Sequence, residues 1–157
     1  MREPVSRFIS NYIYDRTGPR KEAYYSDLEP ERELMNFLES EQAVFMANTQ
    51  LMMLGGFLGV EENLQRNYER AIANLEQYAI VGFTEDLAAL SAKFEKNLNI
   101  HLSIPKINTG SGWQKEGFDY KSLFDEEVRN RISRLAELEI QLYQLAYARY
   151  GEDSISE

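Results

Sequence analysis

Apolar residues recur at helical spacing along much of the chain. After Pro4, which suits the first turn of a helix, Phe8, Ile9 and Tyr12 fall on one side. Between 61 and 78, apolar residues alternate with charged ones at three- and four-residue intervals, which is typical of an amphipathic helix. The pattern therefore predicts helices over 4–15 and 61–78.

Three further segments share this helical character, namely 34–38, 43–54 and 123–150. A loop over 17–30 ends in a capping candidate, Ser26 or Asp27, before the apolar positions of 34–38. A Met-rich apolar segment covers 43–54, and a last helix is predicted over 123–150, followed by a frayed tail at 152–157.

One short segment has a different pattern. Residues 78–83 are apolar and rich in β-formers, which predicts a buried strand. Thr84, followed by Glu85 and Asp86, suits the N-cap of a helix that continues to Leu98. A strand leading into a capped helix favours an α/β class, so we expect one domain over 1–157, helix-rich and with few strands.

Charge and composition narrow the function classes. The chain has 17 Lys and Arg against 26 Asp and Glu, a formal net charge of -9. This balance disfavours binding to nucleic acid or to an anionic membrane, so an anionic ligand must be held locally. No apolar run approaches the roughly 20 residues of a membrane span. The absence of Cys excludes disulfides and thiolate metal sites and fits a reducing compartment, so we expect the cytoplasm.

The segment 2–12, REPVSRFISNY, spaces Arg2, Arg7 and Ser10 in a recognisable way. It resembles the R-[DE]-P-x-x-R-x-x-S-x-Y pattern of sulfotransferases related to heparan sulfate 2-O-sulfotransferase and their bacterial relatives. These enzymes use 3′-phosphoadenosine 5′-phosphosulfate, and the resemblance implies that Arg2 and Ser10 hold its 3′-phosphate. A guanidinium and a hydroxyl suit a phosphate chemically. The alternative is that Arg2 is a mobile terminal residue, Arg7 an ordinary helix-surface residue and Ser10 a helix-packing hydroxyl.

Later segments support the resemblance in order along the chain. Residues 48–55 resemble N-x-Q-x-x-x-L-x-G, while 71–75 and 81–85 resemble A-x-x-N-L and V-G-x-T-E. Residues 139–143 resemble D-x-x-L-Y, with Glu139 where the family usually has Asp. The resemblance thus covers nearly the whole chain but only the later part of the family's P-loop-like domain.

The loop over 103–121 falls where the family places a nucleotide-contacting loop. Its Asn108, Thr109 and Lys115 are therefore the remaining candidate ligands of the nucleotide. Helical pairs of carboxylates are typical of solvated faces, and no H-x-x-E or E-x-x-H spacing occurs, so we expect no metal.

The resemblance implies transfer of a sulfuryl group to a hydroxyl, with a carbohydrate as the expected acceptor. The chain contains no phosphate loop for the 5′-phosphosulfate, and no residue inherits the role of catalytic base. We therefore expect it to be inactive alone and to need a missing N-terminal segment or an oligomer. The second hypothesis is a stand-alone helical binding module without catalysis.

Overall fold

The computed structural model of the chain describes residues 1–18, 28–56, 63–103 and 118–151. These ranges hold eight α-helices and a 3₁₀ turn, Tyr120–Leu123, before α7. The helices are α1 Pro4–Thr17, α2 Pro30–Leu38, α3 Glu41–Ala47, α4 Thr49–Gly55, α5 Leu64–Leu75, α6 Leu87–Leu98, α7 Glu126–Leu135 and α8 Glu137–Tyr150. No helix in the described ranges is both long and apolar enough to cross a membrane.

The chain divides into two compact units. The first unit comprises Met1–Glu3, Thr49–Ile107 and Leu138–Glu157, and the second comprises Pro4–Asn48 and Asn108–Glu137.

The first unit is built on the packing of α4 against α5. Gly55 makes this approach possible, because a Cβ at this position would lie 2.4 Å from the carbonyl oxygen of Asn67. The buried side chains of this unit form one apolar cluster, which removes them from water. Its members are Leu51, Met52, Ala71, Leu75, Val81, Phe83, Leu142 and Ala146.

The second unit packs α1 against α3 and α7 around a fully buried Tyr12. The Tyr12 ring lies 5.2 Å from that of Phe37 and 5.8 Å from that of Phe124. The Arg16 guanidinium lies 4.4 Å from the centre of the Tyr12 ring and pairs with the Glu33 carboxylate. The buried cation is thus compensated by a carboxylate and an aromatic face.

The predicted strand over 78–83 is wrong for the described part of the chain. Only an isolated antiparallel bridge forms there, between Phe83 and Asp86. A strand needs a ladder with a neighbouring strand, whereas Ala79 and Ile80 make no backbone hydrogen bond to a described residue. Of the predicted α/β class, the described residues therefore confirm only the helix-rich part.

Two predicted helices are each divided into two. The segment 43–54 becomes α3 and α4, separated at Asn48, and 123–150 becomes α7 and α8, separated at Ala136. The Asn48 side chain donates to the Val44 carbonyl at 3.0 Å and to the Leu135 carbonyl at 2.8 Å. The second of these bonds caps the carbonyl of Leu135, the last residue of α7.

Two predicted helix starts are also revised. The N-cap of α6 is Asp86 rather than Thr84, and its carboxylate accepts from Ala89 N–H at 2.8 Å. Helix α2 begins at Pro30 with Glu29 at the N-cap position. The capping candidates Ser26 and Asp27, like the tail 152–157, lie outside the described residues.

Candidate functional site

Arg2 is held through its backbone by the side chain of Gln50, which lies in the first turn of α4. The Arg2 N–H donates to Gln50 Oε1 at 2.9 Å, and Gln50 Nε2 donates to the Arg2 carbonyl at 2.9 Å. A carboxamide carries a donor and an acceptor side by side, so it pairs both backbone groups of one residue. This pairing fixes the main chain from which the Arg2 side chain extends.

A buried carboxylate supports Gln50 from behind. Glu139 of α8 is fully buried, and its Oε1 accepts from Gln50 Nε2 at 3.2 Å while its Oε2 accepts from the Leu51 N–H at 3.1 Å. The first N–H groups of a helix lack intrahelical partners and favour a negative charge. Glu139 therefore stabilises the first turn of α4 and the amide that holds Arg2.

The residues on either side of Arg2 are also fixed. The Thr84 N–H donates to the Met1 carbonyl at 2.8 Å, and the Met1 amino group donates to the Gly82 carbonyl. The Glu3 N–H donates to the Glu85 carboxylate at 2.8 Å. Residues 1–3 are thus held by hydrogen bonds at each position.

The Glu85 carboxylate has a second partner in Tyr143 of α8. The Tyr143 hydroxyl donates to Glu85 Oε2 at 3.4 Å, and its ring packs edge-on against Phe83 with centroids 5.6 Å apart. Burial, and then the negative charge of Glu85, raise the pKa of Tyr143 to about 12. The phenol is therefore a hydrogen-bond donor at neutral pH.

In contrast to its backbone, the side chain of Arg2 has no protein partner among the described residues. It is partly exposed, and its guanidinium makes neither a hydrogen bond nor an ion pair within the described ranges. The five N–H donors of the guanidinium are thus available to a ligand.

Ser10 lies in the second unit, about two turns into α1. It is partly buried, and its hydroxyl makes no hydrogen bond to a described residue. Arg7, from the same sequence pattern, is buried, and its Nη2 donates to the carbonyl of Ala47 at 2.9 Å. Because Ala47 is the last residue of α3, Arg7 satisfies a helix-end carbonyl and has a structural role.

The other three predicted ligands, Asn108, Thr109 and Lys115, lie outside the described residues.

Several other positions of the sequence pattern contact one another. The Asn74 side chain donates to the Leu54 carbonyl at 2.6 Å, which ties α5 to the end of α4. Together with the pairs of Gln50 with Glu139 and of Tyr143 with Glu85, this contact joins the matching segments of the first unit. The matching positions are therefore largely those that form long-range hydrogen bonds.

Sequence reasoning missed the part played by Glu139. The signal is visible in α8, where Glu139 shares a helical face with the buried Leu142 and Ala146 at spacings of three and seven. A carboxylate on such an apolar face requires buried hydrogen-bond donors.

Among the described residues, neither the histidine nor the carboxylates form a second candidate site. His101 is 80% exposed at its side chain, and its Nδ1 lies 3.9 Å from Glu95 Oε2. In the described ranges no group of three acidic or histidine side chains is placed to share a metal ion.

No protein-family model matches the chain, and neither curated proteins nor solved structures show a significant match to it.

Proposed function

We propose that this chain provides the 3′-phosphate-binding part of a sulfotransferase that uses 3′-phosphoadenosine 5′-phosphosulfate. The observation that carries the proposal is the contrast at Arg2. Its backbone is fixed by Gln50, whereas its guanidinium has no partner among the described residues. Because the backbone is already fixed, only the side chain of Arg2 loses freedom when it binds an anion.

The chemistry of the two ligands fits a phosphate monoester. The planar guanidinium of Arg2 offers two parallel donors to a pair of phosphate oxygens, and the Ser10 hydroxyl offers one more. Arg2 belongs to the first unit and Ser10 to the second, and each is proposed as a phosphate ligand on the resemblance. Asn108, Thr109 and Lys115 are proposed as further contacts to the nucleotide.

In the proposed reaction, the sulfuryl group passes from the 5′-phosphosulfate to a hydroxyl of the acceptor, for which we propose a carbohydrate. Binding the 3′-phosphate fixes the nucleotide, so that positioning rather than covalent chemistry is the contribution of these residues. The 5′-phosphosulfate and the acceptor hydroxyl require a phosphate loop and a general base, for which the 157 residues contain no recognisable motif. We propose the cytoplasm as the compartment.

The second candidate function is a helical binding module without catalysis. It is favoured by the described helices, which form no sheet of the kind that supports a phosphate loop. The two candidates differ in one respect, because only the first transfers sulfate from the donor to a hydroxyl. A transfer assay with the phosphosulfate donor and a panel of sugars separates them.

Calorimetry with adenosine 3′,5′-bisphosphate tests the proposal. We expect saturable binding that Arg2→Ala and Ser10→Ala each weaken, because each substitution removes hydrogen bonds to a charged group, worth about 1.5–3 kcal/mol. Arg66→Ala is the matched control, since it removes an exposed arginine from the first unit. Equal effects of Arg2→Ala and Arg66→Ala would contradict the proposal.

A further inference from the structure

Gln50 has one defined orientation in the first unit. Glu139 can only accept hydrogen bonds as a carboxylate, so the Nε2 of Gln50 faces it, at 3.2 Å from Oε1. The Oε1 of Gln50 must then face the other way, where it accepts the Arg2 N–H, while Nε2 also donates to the Arg2 carbonyl. The buried carboxylate thus sets which group of the amide faces which backbone group of Arg2.

This arrangement is costly for stability alone. Glu139 is fully buried, and a buried carboxylate loses its hydration. Its carboxylate accepts from the Leu51 N–H and from the Gln50 side chain, and the second of these hydrogen bonds serves no helix end. Through Gln50, this pair holds both backbone groups of Arg2 in place.

We propose that Gln50 and Glu139 are positioning residues that hold the Arg2 backbone so that its guanidinium meets the 3′-phosphate. The inference rests on the proposed function, because it assigns a role in the same nucleotide site. A group displaced by about 1 Å from its productive position can cost about a hundredfold in the rate of the reaction it serves. Both residues therefore act on the phosphate through Arg2 and touch no ligand themselves.

The test compares two nucleotides on the same protein. Gln50→Met keeps a side chain of similar length but removes both hydrogen bonds to Arg2. We expect it to weaken binding of adenosine 3′,5′-bisphosphate at least about tenfold, which is the loss of one charge-assisted hydrogen bond. Binding of adenosine 5′-monophosphate should stay within about twofold. This nucleotide lacks the 3′-phosphate, which is the only group that Gln50 affects through Arg2.

A double-substitution cycle separates positioning from a general structural effect. In the Arg2→Ala background, Gln50→Met should cause no further loss of affinity for adenosine 3′,5′-bisphosphate, because both changes remove the same interaction. Gln65→Met is the matched control, since Gln65 is an exposed glutamine of α5 in the same unit. It should leave both affinities unchanged.

Glu139 provides a second and independent comparison. Glu139→Asp keeps two acceptor oxygens and should retain the preference for the 3′-phosphate. Glu139→Gln brings an NH₂ group against a donor in either orientation and should lose that preference. Hydrogen exchange at the Arg2 amide, measured by NMR, should accelerate in Gln50→Met and Glu139→Gln while the helical circular dichroism is retained.

The outcomes distinguish this inference from the function on which it rests. Absence of nucleotide binding by the unsubstituted chain would overturn both. Normal binding with a 3′-phosphate preference unaffected by a folded Gln50→Met variant would overturn the positioning role alone. A further loss caused by Gln50→Met in the Arg2→Ala background would also overturn it.

Discussion

The pKa of the Tyr143 phenol is a measurable property that depends on the contacts around residues 1–3. Its hydroxyl donates to Glu85, and the same carboxylate accepts from the Glu3 backbone next to Arg2. Burial is the first cause of its raised pKa of about 12, and the Glu85 charge is the second. The titration of this phenol therefore reports on the surroundings of residues 1–3.

The raised pKa predicts a specific loss of stability in alkali. The ordinary pKa of 10.0 applies to the unfolded chain, so the contribution of Tyr143 is complete below that pH and is lost as the pH rises towards 12. In Tyr143→Phe the free energy of unfolding should fall less steeply across this window than in the unsubstituted chain. Urea unfolding at a series of pH values measures the difference.

Glu85→Gln provides the companion variant. Removing the charge should lower the pKa of Tyr143, so that tyrosinate absorbance and the loss of stability both begin at a lower pH. An unchanged titration would show that the contact between Glu85 and Tyr143 is absent in solution.

At the scale of single residues, the sequence predicts burial at positions that recur at helical spacing. It misses hydrogen bonds between side chains that are distant along the chain. The buried positions of Phe8 and Tyr12 follow from helical spacing. The pairing of Gln50 with Glu139 does not, because the two residues lie 89 positions apart and neither type is unusual in a helix. Such a pair is found only when the fold brings both faces together.

At the scale of elements, helix existence is predicted better than helix boundaries. The pattern over 61–78 corresponds to α5, whereas the segments 43–54 and 123–150 each contain a break. The breaks at Asn48 and Ala136 lack a Gly or Pro signal, and the hydrogen bonds of Asn48 explain the first of them. Long-range hydrogen bonds of this kind are not visible in local periodicity.

The start of α6 provides a direct comparison of two candidate caps. Asp86→Ala should destabilise the protein by about 1 kcal/mol, because it removes the acceptor of the Ala89 N–H. Thr84→Ala is the matched control and should change stability by less than about 0.5 kcal/mol, since the Thr84 side chain is exposed. Urea unfolding of both variants measures the two losses of stability. A larger loss in Thr84→Ala than in Asp86→Ala would identify Thr84 as the N-cap.

The contact of α4 with α5 depends on the absence of a side chain at Gly55. Gly55→Ala should cost about 1–3 kcal/mol, because the added methyl meets the Asn67 backbone, which cannot move as a flexible side chain can. Met53→Ala, at a position of α4 that is 63% exposed, should cost less than about 0.5 kcal/mol. Thermal unfolding that ranked the two variants equally would contradict this packing.

At the scale of the whole molecule, the predicted buried strand is the main departure. A strand pattern over 78–83 requires partner strands. In the described residues the backbone partners near its end are Met1, at Gly82 and Thr84, and Asp86, at Phe83. Composition and periodicity cannot indicate whether such a partner is present. The helix-rich character, in contrast, follows from patterns that each segment carries by itself.

The central claim is that Arg2 binds a 3′-phosphate, and one ratio tests it most directly. The Kd for adenosine 5′-monophosphate divided by that for adenosine 3′,5′-bisphosphate should be at least about 10 in the unsubstituted chain, as expected for a charge-assisted hydrogen bond. In Arg2→Ala this ratio should fall towards about 1, because only the Ser10 hydroxyl then remains to recognise the added phosphate. A ratio near 1 in the unsubstituted chain, or one unaffected by Arg2→Ala, would contradict the account.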